Sequence, residues 1–318
     1  MHMSKTLGLT LTSLLLLSLG CGLPDQDSRG QPQTEQAIEV PRLAGEGTDF
    51  MVNKPRINQI WGSQDKDVWA AGNDGMMLHW DGTIWGRVPV PTGNDLLAIW
   101  GASDKDIWAV GEAGVVIRWD GMTWARVTTP VPDTAALNDI WGTNGSNIWA
   151  VGDRGVLIHY NGSAWGAYNL PIINNLLTVW AGSSTDAWIG GDLGLLLHWD
   201  GTAWAGVASG NSQPFTHIRG TATNKVWAAK QNNEIWTYDG SKWTKLTASV
   251  YGSRLWMTAD NDIWVYRSSY AQHFTTTWTP FSFGYDVTAL WSAGPTTAWA
   301  LTTADIMRFS SSAWGQSW

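Results

Sequence analysis

From Ile57 onward the chain runs in short apolar and polar segments of about five residues, each stopped by Gly, Asn or Asp. In the first unit these segments are Ile57–Trp61, Val68–Gly72, Met76–Trp80 and Trp85–Val88. Segments this short are strand-length, and turn residues at every break mark hairpins rather than helices. Between the second and third segments stands Gly-x-x-Gly, as in Gly72-Asn73-Asp74-Gly75 and Gly152-Asp153-Arg154-Gly155. Between the third and fourth stands Asp-Gly or Asn-Gly, at Asp81-Gly82, Asp120-Gly121, Asn161-Gly162, Asp200-Gly201 and Asp239-Gly240. Both are hairpin turns, because glycine tolerates the positive φ that tight connections need. Each unit is therefore predicted to be a four-stranded antiparallel meander.

The unit recurs seven times on a grid of aromatic anchors. The first anchor is Trp61, Trp100, Trp141, Trp180, Arg219, Trp256 and Trp291. The second follows eight residues later in every unit: Trp69, Trp108, Trp149, Trp188, Trp227, Trp264 and Trp299. The third is Trp80, Trp119, Tyr160, Trp199, Tyr238, Phe274 and Phe309, and the fourth is always Trp, from Trp85 to Trp314. Successive units are 35 to 41 residues long, the length of a propeller blade. The expected fold is all-β, a seven-bladed β-propeller of four-stranded antiparallel blades.

Strand alternation extends this to faces. A two-residue turn at Asn73-Asp74 would pair Gly72 with Gly75 and set Trp69 opposite Leu78. Trp61, Trp69, Leu78, Trp80 and Trp85 would then share one face, with Ile60, Val68 and Ala70 on the other, so that blades pack aromatic face on aliphatic face. Trp314 can complete the last blade from its own sequence, while Phe50-Met51-Val52 could supply an outer strand; the sequence leaves both modes of closure open.

Composition narrows the function. Of 25 Trp, 23 fall on the grid, with Trp236 and Trp318 outside it, so the tryptophans chiefly build the fold. The net charge of −8, with 19 basic against 27 acidic residues, argues against nucleic acid, whose binding rests on Lys and Arg at phosphates.

The N-terminus carries targeting information. Residues 1–20 read as a signal peptide, with Lys5 before an apolar run from Leu7 to Leu19 that is short for a membrane span. The sole cysteine follows in Leu17-Ser18-Leu19-Gly20-Cys21, which resembles the lipobox of bacterial lipoproteins. Ser18 and Leu19 stand in the reverse of the usual order, and Ser18 and Gly20 also suit ordinary signal peptidase. The resemblance implies acylation of Cys21, and Gly22 after it implies an outer-membrane lipoprotein on the periplasmic or the cell-surface face. Residues 21–47, poor in aromatics and rich in Gln, Pro, Asp, Glu, Ser and Gly, form the expected lipid-anchored tether, and residues 48–318 the propeller.

Four groups of polar residues bear on possible chemistry. The position before the third anchor is basic in six blades, at His79, Arg118, His159, His198, His273 and Arg308, with Thr237 the exception. One such residue per blade is spread too far round a ring to hold one metal; stacking on a nearby Trp is the expectation. Asp74, Glu112, Asp153 and Asp192 are expected to be solvated turn residues rather than calcium ligands, since one carboxylate per blade does not fill a calcium shell. Asp65, Asp67, Asp104 and Asp106 are expected to serve their own turns. No nucleophile elbow is present, and Glu234, which breaks the repeat, has no carboxylate partner nameable from sequence for glycoside hydrolysis. A non-catalytic protein without cofactor or metal is expected.

Blade five, Val226 to Trp243, resembles a tectonin repeat, and units one to four resemble the BNR and photosystem II stability-factor propellers in their Trp-Ala-Val-Gly…Gly…Asp-Gly…Trp pattern. The sialidase Asp box has a residue between Asp and Gly, whereas Asp81-Gly82 is contiguous here. The tectonin resemblance implies a lectin. Residues that break the repeat in blades five to seven, Trp236, Tyr238, Arg219, Arg254, Tyr251 and Tyr270, are the candidate ligand contacts. The expected function is a cell-surface, lectin-like protein recognising glycans. The alternative is a protein-interaction scaffold or envelope assembly factor, with a glycan-active enzyme in third place. The expected partner is accordingly a glycan or an envelope protein.

Overall fold

A computed structural model describes residues 56–316, Ala248 apart. Signal peptide, Cys21, tether and the Phe50-Met51-Val52 segment lie outside the described residues. Twenty-eight strands form seven separate four-stranded sheets, each made of consecutive antiparallel strands. In the first blade the strands are Ile57–Gln64, Asp67–Gly72, Met77–Trp80 and Trp85–Arg87. The other blades occupy 96–126, 137–167, 176–206, 215–245, 254–282 and 287–316. Inner strands neighbour one another in chain order, and that of blade 7 returns to that of blade 1, closing the ring. Blade 7 draws all four strands from its own segment, as Trp314 at its outer edge suggested.

One hairpin departs from the sequence expectation, and it rearranges the packing. The Gly72–Gly75 connection is a one-turn 3-10 element, with the Gly72 amide bonded to the Met76 carbonyl. Asp74 takes φ 54° and Gly75 φ 64°. Trp69 therefore pairs with His79, Val68 with Trp80, and Trp80 with Trp85. A one-residue slip moves a whole strand's side chains to the opposite face. So Trp61, Trp69 and His79 share one face, while Trp80 and Trp85 lie on the other beside Val68.

The two faces meet between blades. Six of the seven second-anchor indoles lie against both the third and the fourth anchors of the next blade, and Trp227 meets the fourth, Trp278, at 6.3 Å. Trp69 meets Trp119 and Trp124 at 5.1 and 5.6 Å, and Trp188 meets Tyr238 and Trp243 at 4.8 and 5.1 Å. Trp299 closes the ring on Trp80 and Trp85 of blade 1 at 5.1 and 5.4 Å. The fourth anchor meets the second edge-on, the geometry favoured by the aromatic quadrupole. Each interface is thus aromatic on both sides. Six of the seven second-anchor tryptophans are at most 2% exposed.

Candidate ligand-binding face and central channel

In blades 1 to 4 and 6 the basic residue before the third anchor serves its own blade. His79 stacks on Trp69 at 4.1 Å and meets Asp67 at 2.6 Å, and His273 stacks on Trp264 at 3.8 Å and meets Asp262 at 2.8 Å. His198 repeats this with Trp188 and Asp186, Arg118 with Trp108 and Asp106, and His159 with Trp149 and Asn147. The indole N–H of Trp69 donates to the same Asp67 carboxylate that meets His79. Asp67 and Asp106 are thus not turn residues serving their own backbone, as their position suggested. They open the second strand, and a side chain facing inward there meets the His or Arg on the third. Burial alone would raise the Asp67 carboxyl, but the bonds from His79, Ser63 and Trp69 outweigh it and hold it below the usual carboxylate range. His159, facing neutral Asn147, is pushed down by burial.

In blade 7 the acid is replaced by Thr297, and Arg308 reaches across to Asp65 of blade 1, with Nε at 3.2 Å from its carboxylate. Asp65 is therefore a ring-closing partner as well as a turn residue. In blade 5 Lys225 and Thr237 replace acid and base together. Trp227 loses its cover and is the one second anchor left only half-buried. Two of the acidic turn residues accept side-chain amides, Asp153 from Asn138 and Asp192 from Asn174. Among the described residues no group of three metal-ligating side chains occurs.

Inner anchors decide what fills the channel. Trp291, Trp61, Trp100 and Trp180 each lie over the glycine that follows the anchor in the next blade. A Cβ at Gly62, Gly101, Gly142 or Gly220 would come within 2.7 Å of that indole. After Trp141, Arg219 and Trp256 the matching residues are Ala181, Met257 and Ser292. With that seat closed, these three anchors turn to one another across the ring. The Arg219 guanidinium lies 4.6 Å from the Trp141 ring and 5.9 Å from that of Trp256, and the two rings are 5.9 Å apart. Arg219 Nη1 also donates to the Ile218 carbonyl at 2.7 Å and meets Asp139 at 3.3 Å.

Around this plug lies a cavity of about 210 Å³, reached by Asn58, Asp139, His217, Arg254, Tyr266 and Leu290 among others. The surface that His217 retains faces this cavity, and burial, with Arg254 and Arg219 beside it, holds its imidazole far below the ordinary histidine value. Burial also raises the Tyr266 phenol. A second cleft of about 450 Å³ opens at the end of the ring carrying the Gly-x-x-Gly turns, over blades 6, 7 and 1. It is lined by Arg56, Arg254, Arg267, Asp286 and Thr302, and Arg254 and Thr288 border both spaces.

The six repeat-breaking candidates do not form one site. Arg219 is buried in the channel, and Arg254 stands between channel and cleft. Tyr251 and Tyr270 stack on each other at 5.6 Å and 8°, with the Arg267 guanidinium 4.7 Å from the Tyr251 ring. Tyr238 packs on Trp188 as an ordinary third anchor. Trp236 is half-buried in blade 5, donating to Glu234, whose carboxylate also accepts Asn211 and Lys245. The Lys245 ammonium, foremost among these bonds, lowers Glu234 to about 2, opposite to what a general acid needs. His217, Tyr266, Asp139 and Arg267 escaped the sequence reading. The signal was there for two of them: His217 and Asp139 occupy the position two before the inner anchor, which faces the channel.

The geometry defines the chain as a seven-bladed β-propeller with a plugged channel and an irregular face on blades 5 to 7. No family model matches the sequence, and no curated protein matches it. Solved structures do match in fold. That described as the WD40 beta propeller domain of Doa1 superposes with a TM-score of 0.70 at 10% identity, covering 83% of this chain and 93% of that one. YCF48 bound to D1 peptide gives 0.65 at 14%, covering 81% and 94%, and YCF48 from Cyanidioschyzon merolae 0.62 at 13%, covering 80% and 95%. At these identities the likeness is one of fold.

Proposed function

We propose that this protein is a non-catalytic binding propeller that holds an extended segment of a protein partner across the irregular face of blades 5 to 7. The observation that carries the proposal is the stacked Tyr251–Tyr270 pair, capped by Arg267, in the blades that border the 450 Å³ cleft with Arg56 and Arg254. Tyrosine and arginine are the side chains that anchor protein interfaces, because they bring large area with few rotamers to freeze. In blades 1 to 4 the matching turns are compact Gly-x-x-Gly elements packed under the linkers, which leave no such platform. The structural neighbour bound to a peptide lends support by analogy of architecture. An immobilised peptide library drawn from the envelope proteins of the source organism tests the proposal. Binding is expected and should weaken at least roughly tenfold in Tyr251→Ala and Arg267→Ala, the loss typical of interface anchors. Binding equal in wild type and both variants would refute it.

Glycan recognition is the second reading, and one place favours it. Trp236 presents a half-buried ring beside Glu234, Asn211 and Lys245, an apolar plate with polar groups at its rim. A glycan array read with wild type and Trp236→Ala decides between the two. For location we propose export and acylation at Cys21; palmitate labelling that globomycin abolishes is the expected result, and no label would remove the anchor.

A further inference from the structure

The inner strands are stitched by side chains at the position two before the anchor. Gln59 accepts the Ile99 amide at 3.0 Å, Asp139 that of Val179 at 3.0 Å, and Thr178 that of Ile218 at 3.1 Å. In each case an acceptor takes the N–H of the next blade. Ala98 and Ala289 hold this position without a polar group in blades 2 and 7, His217 in blade 5 has its Nδ1 buried without a partner, and Arg254 in blade 6 is a donor where Gln59, Asp139 and Thr178 accept. Arg254 instead donates to the Thr288 carbonyl.

Charge follows from this substitution. Of the titratable side chains lining the cavity, Arg219 and Arg254 are cationic and Asp139 is the only carboxylate. Asp139 already meets Arg219, and among the described residues no carboxylate lies within ion-pair distance of Arg254. His217 stays neutral under burial and the two guanidinium charges, and Tyr266 keeps its proton, so neither changes the balance. Arg219 Nε is buried with no partner as well. A half-buried guanidinium with no carboxylate partner and an unused buried donor on one cavity wall leave positive charge and hydrogen-bonding capacity that an anion can answer.

We propose that the central channel is a binding site for a small monocarboxylate, its carboxylate held by Arg254 and the Nε edge of Arg219 and its short apolar body against Leu97, Leu177 and Leu255. One negative charge matches the excess, and a guanidinium fork fits a planar carboxylate. The cavity of about 210 Å³ equals the share of roughly seven waters, which suits an acid of a few carbons and excludes a peptide or a sugar chain. The leucines on its wall distinguish this site from one for a fully hydrated ion. It meets the outer cleft only at Arg254 and Thr288, and because the outer face is tested at Tyr251 and Arg267 the two readings fail independently.

Saturation-transfer NMR and calorimetry on the full chain test it, with acetate, propionate and butyrate as probes and phosphate and chloride at matched ionic strength as controls. Saturable binding of at least one carboxylate is expected, weakened roughly thirty-fold or more in Arg254→Gln, as for truncating one side of a buried charge pair. Should that variant fail to fold, thermal melting of the wild-type chain carries the test. Carboxylates should then raise the transition saturably and chloride should not. No saturable binding, binding indifferent to Arg254→Gln, or phosphate or chloride binding as tightly would each overturn the proposal.

Discussion

His273 and His79 occupy equivalent places with different burial, and the difference sets what each is worth. His273 is 4% exposed over an Asp262 that is fully buried, whereas the His79 side chain keeps about a quarter of its surface. Removing His273 leaves the fully buried Asp262 carboxylate with only the Thr258, Ser292 and Trp264 donors, so His273→Ala should cost about 2 kcal/mol against about 1 for His79→Ala. Urea unfolding of the two variants checks the order; equal losses would mean that the stack, not the hydrogen bond to Asp, carries the effect. Acid sensitivity follows from the same groups. His159 and His217 are pushed below 6.5 in the folded chain, so the unfolded chain takes up protons first and stability falls as pH drops from that value. Asp67 and Asp262 are held below 3.8, so their contribution is complete above that value and is lost as pH falls through the folded one. Both shifts act in one direction. Melting measured from about pH 8 to about pH 2 should therefore decline in two stages, the second below 3.8, and His159→Gln should soften the first.

At the level of the hairpin, the turn after the second strand decides the faces of the blade. Its third residue is left-handed in blades 1 to 4 whatever its identity: Asp74, Ala113, Arg154 and Leu193 take φ of 51 to 54°. Gly72 is a glycine for a different reason, since a Cβ there would come 2.4 Å from the Arg56 carbonyl. Leu193 is 73% exposed and gives up little packing, so Leu193→Gly should raise stability by up to about 1 kcal/mol, the left-handed penalty less the entropy of glycine. A lower melting temperature would count against it. This turn also marks the limit of what the sequence discloses. The eight-residue spacing from first to second anchor is a register, because the same bulged hairpin joins Trp61 to Trp69 and their counterparts in every blade. Gly-x-x-Gly is compatible with a two-residue or a three-residue turn, and one residue reverses the next strand. So blade number and strand order were legible, and the pairing of Trp69 with His79 was not. The channel was harder still. That Arg219 replaces a tryptophan is visible, but that it lies between Trp141 and Trp256 depends on Ala181, Met257 and Ser292 standing where other blades have glycine. That is a contact between distant segments, and no local pattern announces it.

The whole ring must close without a shared strand, and what closes it can be measured. Blades 7 and 1 are joined by the packing of their inner strands, by Trp299 against Trp80 and Trp85, and by the Arg308 pair with Asp65. The aromatic contact repeats at every interface, whereas the ion pair across blades arises because Thr297 cannot hold Arg308 within its own sheet. Both partners keep about a third of their surface, so water and salt screen the attraction and the pair should contribute about 0.5–1 kcal/mol. Its position matters beyond that magnitude, because opening this seam is the route by which a ring with free ends can unzip. A double-mutant cycle with Asp65→Ala and Arg308→Ala should give a coupling of that size in low salt, shrinking as ionic strength rises. Thr297→Asp should let Arg308 return to its own blade as Arg118 does with Asp106, abolishing the coupling while sparing most of the stability. If coupling to Asp65 persists in that variant, geometry rather than charge holds Arg308 across the seam, and closure is fixed by the shape of blade 7 itself.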